Sequence, residues 1–119
     1  MCGILFTNDQ RVDEDSFQKA ILKIQRRGPD ACGSKHFGMV KLGHTRLKTQ
    51  DLEDASNQPF MCPQNRYCLI FNGEIYNFKE LAKEYKLGTK THSDTEILIL
   101  LYIKFKQKCL DLLNDYVYE

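Results

Sequence analysis

The clearest local pattern in this chain predicts a helix between residues 13 and 27. Any fold proposed for the chain must include this helix near the amino terminus. Acidic side chains precede its apolar stripe and basic side chains close it, as the helix dipole favours. Gly28 and Pro29 follow, and we interpret them as a helix stop with glycine at the C′ position. The stripe has the i, i+3, i+4, i+7 spacing of one helix face and consists of Phe17, Ala20, Ile21 and Ile24.

Strand patterns flank this helix on both sides. Residues 1–7 form a short apolar run typical of a buried strand. Residues 34–38 and 40–47 predict two more strands with a turn around Met39. Within the second of these strands, Gly43 indicates a bulge or a close approach of another part of the chain.

A polar, loop-like segment, residues 48–60, separates these strands from the next one. Residues 66–71 are nearly continuous in apolar character and predict a strand that runs into the turn dipeptide Asn72-Gly73. Helices and strands therefore interleave along the chain. This periodicity supports an α+β fold class and no finer assignment.

Two capping-box patterns predict helices in the last third of the chain. Asn77 with Glu80 marks the start of one helix, and Ser93 with Glu96 marks the start of a second. The remaining elements predicted for this part are a helix at residues 97–105, a short helix at 109–113 and a strand-like segment at 116–119.

The composition restricts the class of protein. A chain of 119 residues suits one domain at most, spanning residues 1–119. The formal net charge is +1, which gives no electrostatic basis for a nucleic-acid or membrane partner. The longest apolar run, residues 97–103, is too short to cross a bilayer. Residues 1–9 lack the basic n-region of a secretory signal, so we expect none.

The five cysteines predict neither a disulfide framework nor a metal site. Their number is odd, no two of them form a C-x-x-C pair, and the three histidines are scattered. We therefore expect no metal, reduced thiols and a cytoplasmic location. The cysteines are Cys2, Cys32, Cys62, Cys68 and Cys109.

Cys2 has two interpretations when it is taken alone. Removal of Met1 would leave a residue with both a thiol and a free α-amine, and an amine with a pKa near ~8 can accept the thiol proton close to neutral pH. The alternative is a small buried residue in a first strand, since free cysteine packs as a small hydrophobe. A Met-Cys start by itself favours this alternative, and the later segments decide between the two.

Several short segments go beyond these local rules, and they occur in a fixed order. They are Met1-Cys2-Gly3-Ile4, Arg27-Gly28-Pro29-Asp30, Gly43-His44-Thr45-Arg46-Leu47, Phe71-Asn72-Gly73-Glu74-Ile75-Tyr76-Asn77 and Ser93-Asp94-Thr95-Glu96. With them the chain resembles the glutaminase domain of class II glutamine amidotransferases, in particular the amino-terminal domain of glutamine-hydrolysing asparagine synthetases. The resemblance covers essentially the whole chain.

This resemblance implies the fold of the N-terminal-nucleophile (Ntn) hydrolases, an αββα four-layer sandwich of two antiparallel sheets flanked by helices. Glutaminase domains of the family continue through further strands, so we expect the sandwich to be truncated at the carboxyl terminus. The ATP-dependent synthetase domain is absent from these 119 residues. We expect no cofactor in this domain, with ATP and Mg²⁺ confined to the synthetase domain.

The resemblance also implies the reacting groups. Cys2 would be the nucleophile that attacks the side-chain amide of glutamine. Asn72, through its side-chain amide, and Gly73, through its backbone N–H, would donate hydrogen bonds to the resulting oxyanion. The alternative for Asn72-Gly73 is a tight turn after a strand.

A second group of residues would bind the two charged ends of the amino-acid substrate. Arg46 matches the arginine that binds the α-carboxylate, with Leu47 beside it, because a guanidinium fork suits a carboxylate. Asp94 matches the carboxylate that pairs with the α-ammonium group, with Glu74 close in the same pocket. The alternatives are a solvated strand arginine at Arg46 and a helix-dipole partner at Asp94.

Two further residues have supporting roles in this comparison, and one segment departs from it. Asp30 and His44 lie in matching motifs, and we expect them to anchor a loop and to pack a strand. Residues 48–50, Lys-Thr-Gln, stand where the family usually has small and apolar residues. We expect the edge of the pocket to differ there.

The sequence leaves two functions open. The first is a glutamine-hydrolysing enzyme whose ammonia feeds a synthetase reaction such as aspartate to asparagine. Its substrate would be L-glutamine, and its partner a separate synthetase subunit or a missing carboxyl-terminal half. The second is a truncated, non-catalytic remnant, or a glutamine-binding or partner module. The complete set of motif residues favours the first function, and the truncation favours the second.

Overall fold

A three-stranded antiparallel sheet carries the first half of the chain, with β3 in the middle of the order β1-β3-β2. The computed structural model describes residues 2–49 and 51–113. Its strands are β1 (Gly3–Thr7), β2 (Ala31–Phe37) and β3 (Val40–Arg46). The prediction of three strands here is confirmed, although β2 begins earlier than the pattern indicated.

Helix α1 (Glu14–Ile24) packs on one face of this sheet. Asp13 caps it by accepting a hydrogen bond from a backbone amide of the first turn. Phe17 and Ile21 are buried beneath it, and the absence of a side chain at Gly43 leaves room for them. A Cβ at Gly43 would lie 2.9 Å from Cδ1 of Ile21. The predicted close approach at Gly43 is therefore confirmed, and the unbroken register of β3 shows no bulge.

The end of this helix differs from the predicted glycine cap. The chain continues in a 3₁₀ turn, Gln25–Arg27, and Gly28 follows in an extended conformation with φ −152°. The helical segment does stop at Gly28, but the left-handed conformation of a C′ glycine is absent. A Cβ at Gly28 would lie 2.3 Å from the carbonyl oxygen of Thr45. Glycine is required here because the loop after the helix lies directly against β3.

The second half of the chain forms a smaller sheet and two helices. Strands β4 (Phe60–Met61) and β5 (Cys68–Leu69) pair antiparallel, and helices α2 (Phe78–Glu84) and α3 (Asp94–Phe105) follow. The strand predicted for residues 66–71 is reduced to β5, because its pairing strand β4 has only two residues. Two buried clusters form the described core of this half: Ile75, Leu81, Ile97, Leu101 and Cys109 in one, and Phe60, Cys62 and Ile99 in the other.

The two predicted capping boxes have different outcomes. Ser93 does cap α3, since its hydroxyl oxygen accepts the Thr95 N–H at 3.1 Å, and the helix begins earlier than residue 97. Glu96 does not complete the box, because its carboxylate accepts the backbone amides of Lys90 and Thr91. This carboxylate instead fixes the loop that precedes the helix.

The predicted box at Asn77 and Glu80 is wrong. Asn77 makes no side-chain capping hydrogen bond at α2, and its amide nitrogen donates to the carbonyl oxygen of Leu112 at 2.9 Å. This bond connects the start of α2 to a 3₁₀ helix, Lys106–Leu112, which replaces the short helix predicted at residues 109–113. The strand-like segment at residues 116–119 lies outside the described residues.

Two small antiparallel sheets with accompanying helices confirm the α+β class. Within residues 2–49 and 51–113, no helix is both long and apolar enough to cross a membrane. All five cysteines lie in this part of the chain and carry free thiols.

Candidate active site

A polar cleft of about 50 Å³ lies where the start of β1, the carboxyl end of β3 and the beginning of α3 meet. All but one of the predicted site residues line it. The exception is Asn72, whose neighbours Phe71 and Gly73 both contribute to the wall. The predicted residues in the lining are Cys2, Arg46, Leu47, Gly73, Glu74 and Asp94.

The half-buried thiol of Cys2 is positioned by the pairing of β1 with β3. The Leu47 N–H donates to Sγ of Cys2 at 3.3 Å, and the Gly3 N–H donates to the hydroxyl oxygen of Thr45 at 3.1 Å. The Arg27 Nε donates to the Cys2 carbonyl oxygen at 3.2 Å. Two segments that are far away in sequence, at Arg27 and at residues 45–47, therefore fix the position of this residue.

Asp30 anchors the loop between α1 and β2 to the end of β3. Its carboxylate accepts the Lys48 N–H at 2.9 Å, and its own N–H donates to the Arg46 carbonyl oxygen at 3.0 Å. The predicted loop-anchoring role of Asp30 is confirmed.

Arg46 is 7% exposed and donates into the loop after β3. Its guanidinium donates to the Glu53 carbonyl oxygen at 2.8 Å, to Oδ1 of Asn57 at 2.7 Å and to the Asp51 carbonyl oxygen. The alternative of a solvated strand arginine is wrong. Three of the five N–H donors of the guanidinium are used in this way, so Arg46 holds a loop as well as lining the cleft.

Asp51 is a buried carboxylate at the cleft that the sequence analysis did not single out. Its oxygens accept the Glu53 N–H at 2.9 Å, the Ser56 hydroxyl at 2.6 Å and the His92 N–H at 2.8 Å. Burial works to raise the pKa of Asp51, but these three hydrogen bonds outweigh it and hold the pKa below its ordinary value. A polar, loop-like segment gave no sign that one of its carboxylates is buried.

Asp94 is the first residue of α3 and is buried at the cleft wall. Its Oδ2 accepts the Ile75 N–H at 3.0 Å. Burial raises the pKa of Asp94, the Ile75 N–H opposes this, and the negative charge of Glu74 adds to the rise. Glu74 and Asp94 thus form an acidic part of a cleft that also contains the Arg46 guanidinium.

The backbone of Phe71, two residues before Gly73, is held by two buried side chains. The Phe71 N–H donates to Oε1 of Gln58 at 2.5 Å, and Nε2 of His44 lies 3.2 Å from the Phe71 carbonyl oxygen. Burial lowers the pKa of His44, the contact with Phe71 opposes this, and the positive charge of Arg46 lowers it further. His44 is 1% exposed in the central strand, which confirms the predicted packing role.

These groups form a site that suits a small zwitterion with a reactive carbonyl. A thiol lies at the wall, a guanidinium can balance a carboxylate, and two carboxylates can balance an ammonium group. Cysteine thiolates attack carbonyl carbon in acyl-transfer enzymes.

The comparison with known protein families gives the class. The family model of the glutamine amidotransferase domain matches residues 1–117. The chain therefore belongs to the glutamine amidotransferase domain family.

Individual relatives are larger proteins. Asparagine synthetase [glutamine-hydrolyzing] 3 of Bacillus subtilis is 34% identical over 96% of this chain and 20% of its own length. Asparagine synthetase B [glutamine-hydrolyzing] of Escherichia coli is 34% identical over 93% of this chain and 21% of its own length. Amidase chyE of Penicillium rubens is 38% identical over 74% of this chain and 13% of its own length. The chain spans about a fifth of the length of the asparagine synthetases it matches.

Proposed function

We propose that this chain hydrolyses L-glutamine to glutamate and ammonia, with Cys2 as the nucleophile. The observation that carries the proposal is the meeting of Cys2, Arg46 and Asp94 in one cleft, although they lie far apart in sequence. The proposal requires removal of Met1. The α-amine of Cys2 is then the base closest to its own thiol.

The reaction begins when the α-amine of Cys2 accepts the thiol proton. The thiolate attacks the side-chain amide carbon of glutamine, and the carbonyl oxygen becomes an oxyanion. The protonated amine returns its proton to the leaving nitrogen, which departs as ammonia and leaves a glutamyl thioester. Water then attacks the thioester carbon, which releases glutamate and restores the Cys2 thiol.

Asn72 and Gly73 are the proposed donors to the oxyanion. The Gly73 N–H belongs to a residue of the cleft wall. Asn72 is not part of the cleft wall, so we expect its side-chain amide to turn toward the cleft when glutamine binds. Loss of one such donor typically costs about 100- to 1000-fold in kcat.

Arg46 and the two acidic residues are the proposed binding groups for the ends of glutamine. The guanidinium would bind the α-carboxylate, and Asp94 with Glu74 would bind the α-ammonium group. A cleft of about 50 Å³ is small beside typical ligand sites of a few hundred Å³. We therefore expect the loop at Asp51 to open when glutamine enters, releasing Arg46 donors that it now occupies.

The wider context of the domain is also a proposal. We propose an Ntn-hydrolase sandwich of four layers, in which the two small sheets of this structure are the beginnings of the two central layers. We further propose a synthetase domain, in the same polypeptide or a separate subunit, that uses ATP, Mg²⁺ and the ammonia released here. Aspartate is the suggested acceptor because the relatives are named as asparagine synthetases, and the cytoplasm is the suggested location.

A second candidate is a glutamine-binding or partner module without turnover. One observation favours it: Asn72, the proposed side-chain donor to the oxyanion, is not in the cleft lining. Such a module would bind glutamine through the same charged groups. It would release no ammonia.

One experiment separates these functions. Intact-mass measurement of the purified protein determines whether Met1 is removed, and an ammonia assay with glutamine follows turnover. We expect Met1 to be lost, ammonia to be released, and Cys2→Ala to abolish release while Cys32→Ala, at an exposed cysteine of β2, retains it. Glutamine binding without ammonia release would support the binding module. Equal release from the Cys2→Ala variant would exclude Cys2 as the nucleophile.

A further inference from the structure

Phe71 directly precedes the proposed oxyanion donors, and both of its backbone polar groups are bound by buried side chains. Its N–H donates to Oε1 of Gln58 at 2.5 Å. Its carbonyl oxygen lies 3.2 Å from Nε2 of His44. Because a carbonyl oxygen only accepts, this nitrogen carries the hydrogen and His44 donates the bond. The plane of the backbone on both sides of Phe71 is thereby fixed.

Gln58 is itself fixed by two neighbours. Its Nε2 donates to the hydroxyl oxygen of Thr95 at 3.2 Å, and Thr95 is buried in the first turn of α3, next to Asp94. A Cβ at Gly33 would lie 2.5 Å from the Gln58 carbonyl oxygen, so the Gln58 backbone packs closely against β2. The acceptor of Phe71 is therefore tied to both halves of the fold.

The ring of Phe71 transmits this position to Gly73. A Cβ at Gly73 would lie 2.9 Å from Cζ of Phe71, so the ring covers the backbone of Gly73 directly. A shift of Phe71 would move the Gly73 N–H with it. An oxyanion donor must be in place before the charge develops, and a displacement of about 1 Å can cost roughly 100-fold in rate.

We propose that Gln58 and His44 are positioning residues of the oxyanion site, which hold the Phe71 backbone so that the Gly73 N–H faces the developing charge. This inference rests on the proposed glutamine hydrolysis and extends it. Neither side chain touches the substrate in this scheme. Both act through Phe71.

The test compares pairs of variants that remove or keep the hydrogen bond to the Phe71 backbone. Gln58→Met removes the acceptor for the Phe71 N–H, and Gln58→Glu keeps a carboxylate oxygen in its place. His44→Leu removes the donor, and His44→Gln offers an amide nitrogen instead. We expect Gln58→Met and His44→Leu to lower kcat about 10- to 100-fold, with KM for glutamine within about twofold. The two conservative variants should recover most of the loss.

Lys41→Met is the matched control. Lys41 is a buried residue of the same strand as His44, and its ammonium group donates to the Val12 carbonyl oxygen at 2.8 Å, away from the cleft. This variant also loses one tertiary side-chain hydrogen bond. Its kcat should remain at the wild-type level.

The rate at which iodoacetamide alkylates Cys2 distinguishes a positioning role from a general loss of packing, because only a general loss of packing would change this rate. The thiolate displaces iodide from a saturated carbon in this reaction, and no oxyanion forms. The rate at Cys2, followed by mass spectrometry of the first peptide, should therefore be the same in Gln58→Met and in the wild type. A parallel loss of alkylation and turnover would overturn the positioning role.

The amide resonance of Gly73 tests the geometry without turnover. Its chemical shift is sensitive to the Phe71 ring that covers it, so it should move in Gln58→Met and His44→Leu and return in the conservative variants. If the wild type releases no ammonia, the proposed function fails, and this resonance still tests whether Gln58 and His44 position Gly73.

Three outcomes would overturn the positioning role. They are an unmoved Gly73 signal in Gln58→Met, an unchanged kcat in that variant, and a KM that rises in step with the loss of kcat.

Discussion

The backbone N–H of Leu47 donates to the sulfur of Cys2 at 3.3 Å, which joins the first described residue to the residue that follows β3. This contact continues the antiparallel pairing in which Gly3 lies opposite Thr45. The position of the proposed nucleophile is therefore set by strand register. Any change that alters the pairing of β1 with β3 should displace the thiol as well as weaken the fold.

Thr45→Val tests this dependence. The buried Thr45 hydroxyl accepts the Gly3 N–H and donates to the Ile24 carbonyl oxygen at 3.2 Å. Removing it leaves buried groups without partners, which we expect to lower the free energy of unfolding by about 1–3 kcal/mol in urea titrations. Thr7→Val, at the last residue of β1, is the control: its hydroxyl accepts the Asp9 N–H at 3.1 Å at a partly exposed position, where water can take its place, and we expect a change of less than about 0.5 kcal/mol. Equal effects at both sites would contradict the argument.

Gly28→Ala should be more damaging than its place in a loop suggests. The added methyl group would overlap the Thr45 carbonyl and the Arg46 nitrogen, 2.3 Å and 2.5 Å from the ideal Cβ position. We expect thermal and urea unfolding to show a loss of about 1–3 kcal/mol. Gly88→Ala is the matched control, because no atom lies within 4 Å of the Cβ position there. Its stability should stay within about 0.5 kcal/mol of the wild type.

These glycines illustrate what the sequence could and could not predict. Local spacing predicted α1, the flanking strands and the Ser93 cap, because each depends on neighbours within a few residues. The reason for glycine at position 28 depends on a strand that follows much later, so the same local rules assigned it to a helix cap. The predicted strand at residues 66–71 was too long because its length depends on the partner strand.

The residues of the candidate site also divide into those that the sequence predicted and those that it did not. The motif residues were found by resemblance, and most of them meet in one cleft. Asp51 and Gln58 were missed because their burial results from contacts with His92 and Thr95, which are 41 and 37 residues away. A polar side chain in a polar segment carries no local sign of such a contact.

Arg46→Lys should separate the two uses of this side chain. A lysine keeps the charge but offers three donors from one nitrogen, so it cannot reach all the oxygens now bound by the guanidinium fork. We expect a stability loss of about 1.5–3 kcal/mol together with a raised KM for glutamine. The control is Arg11→Lys, whose guanidinium is exposed and paired with Asp9. A raised KM with unchanged stability would mean that the loop contacts contribute little to folding.

His44 predicts a specific dependence of stability on pH. Burial lowers the pKa of His44 in the folded protein, so below about pH 6.5 the unfolded chain binds a proton that the folded chain does not. The free energy of unfolding should therefore be level with respect to this residue above that pH. It should fall as the pH drops from about 6.5 toward the folded pKa, by up to ~1.4 kcal/mol per pH unit.

Urea titrations between pH 8 and 5 measure this dependence of the free energy of unfolding on pH. His44→Gln should remove this part of the slope, whereas His36→Gln, at a partly exposed histidine beside Glu14, should retain it. The same slope in all three proteins would show that His44 is not held neutral by burial.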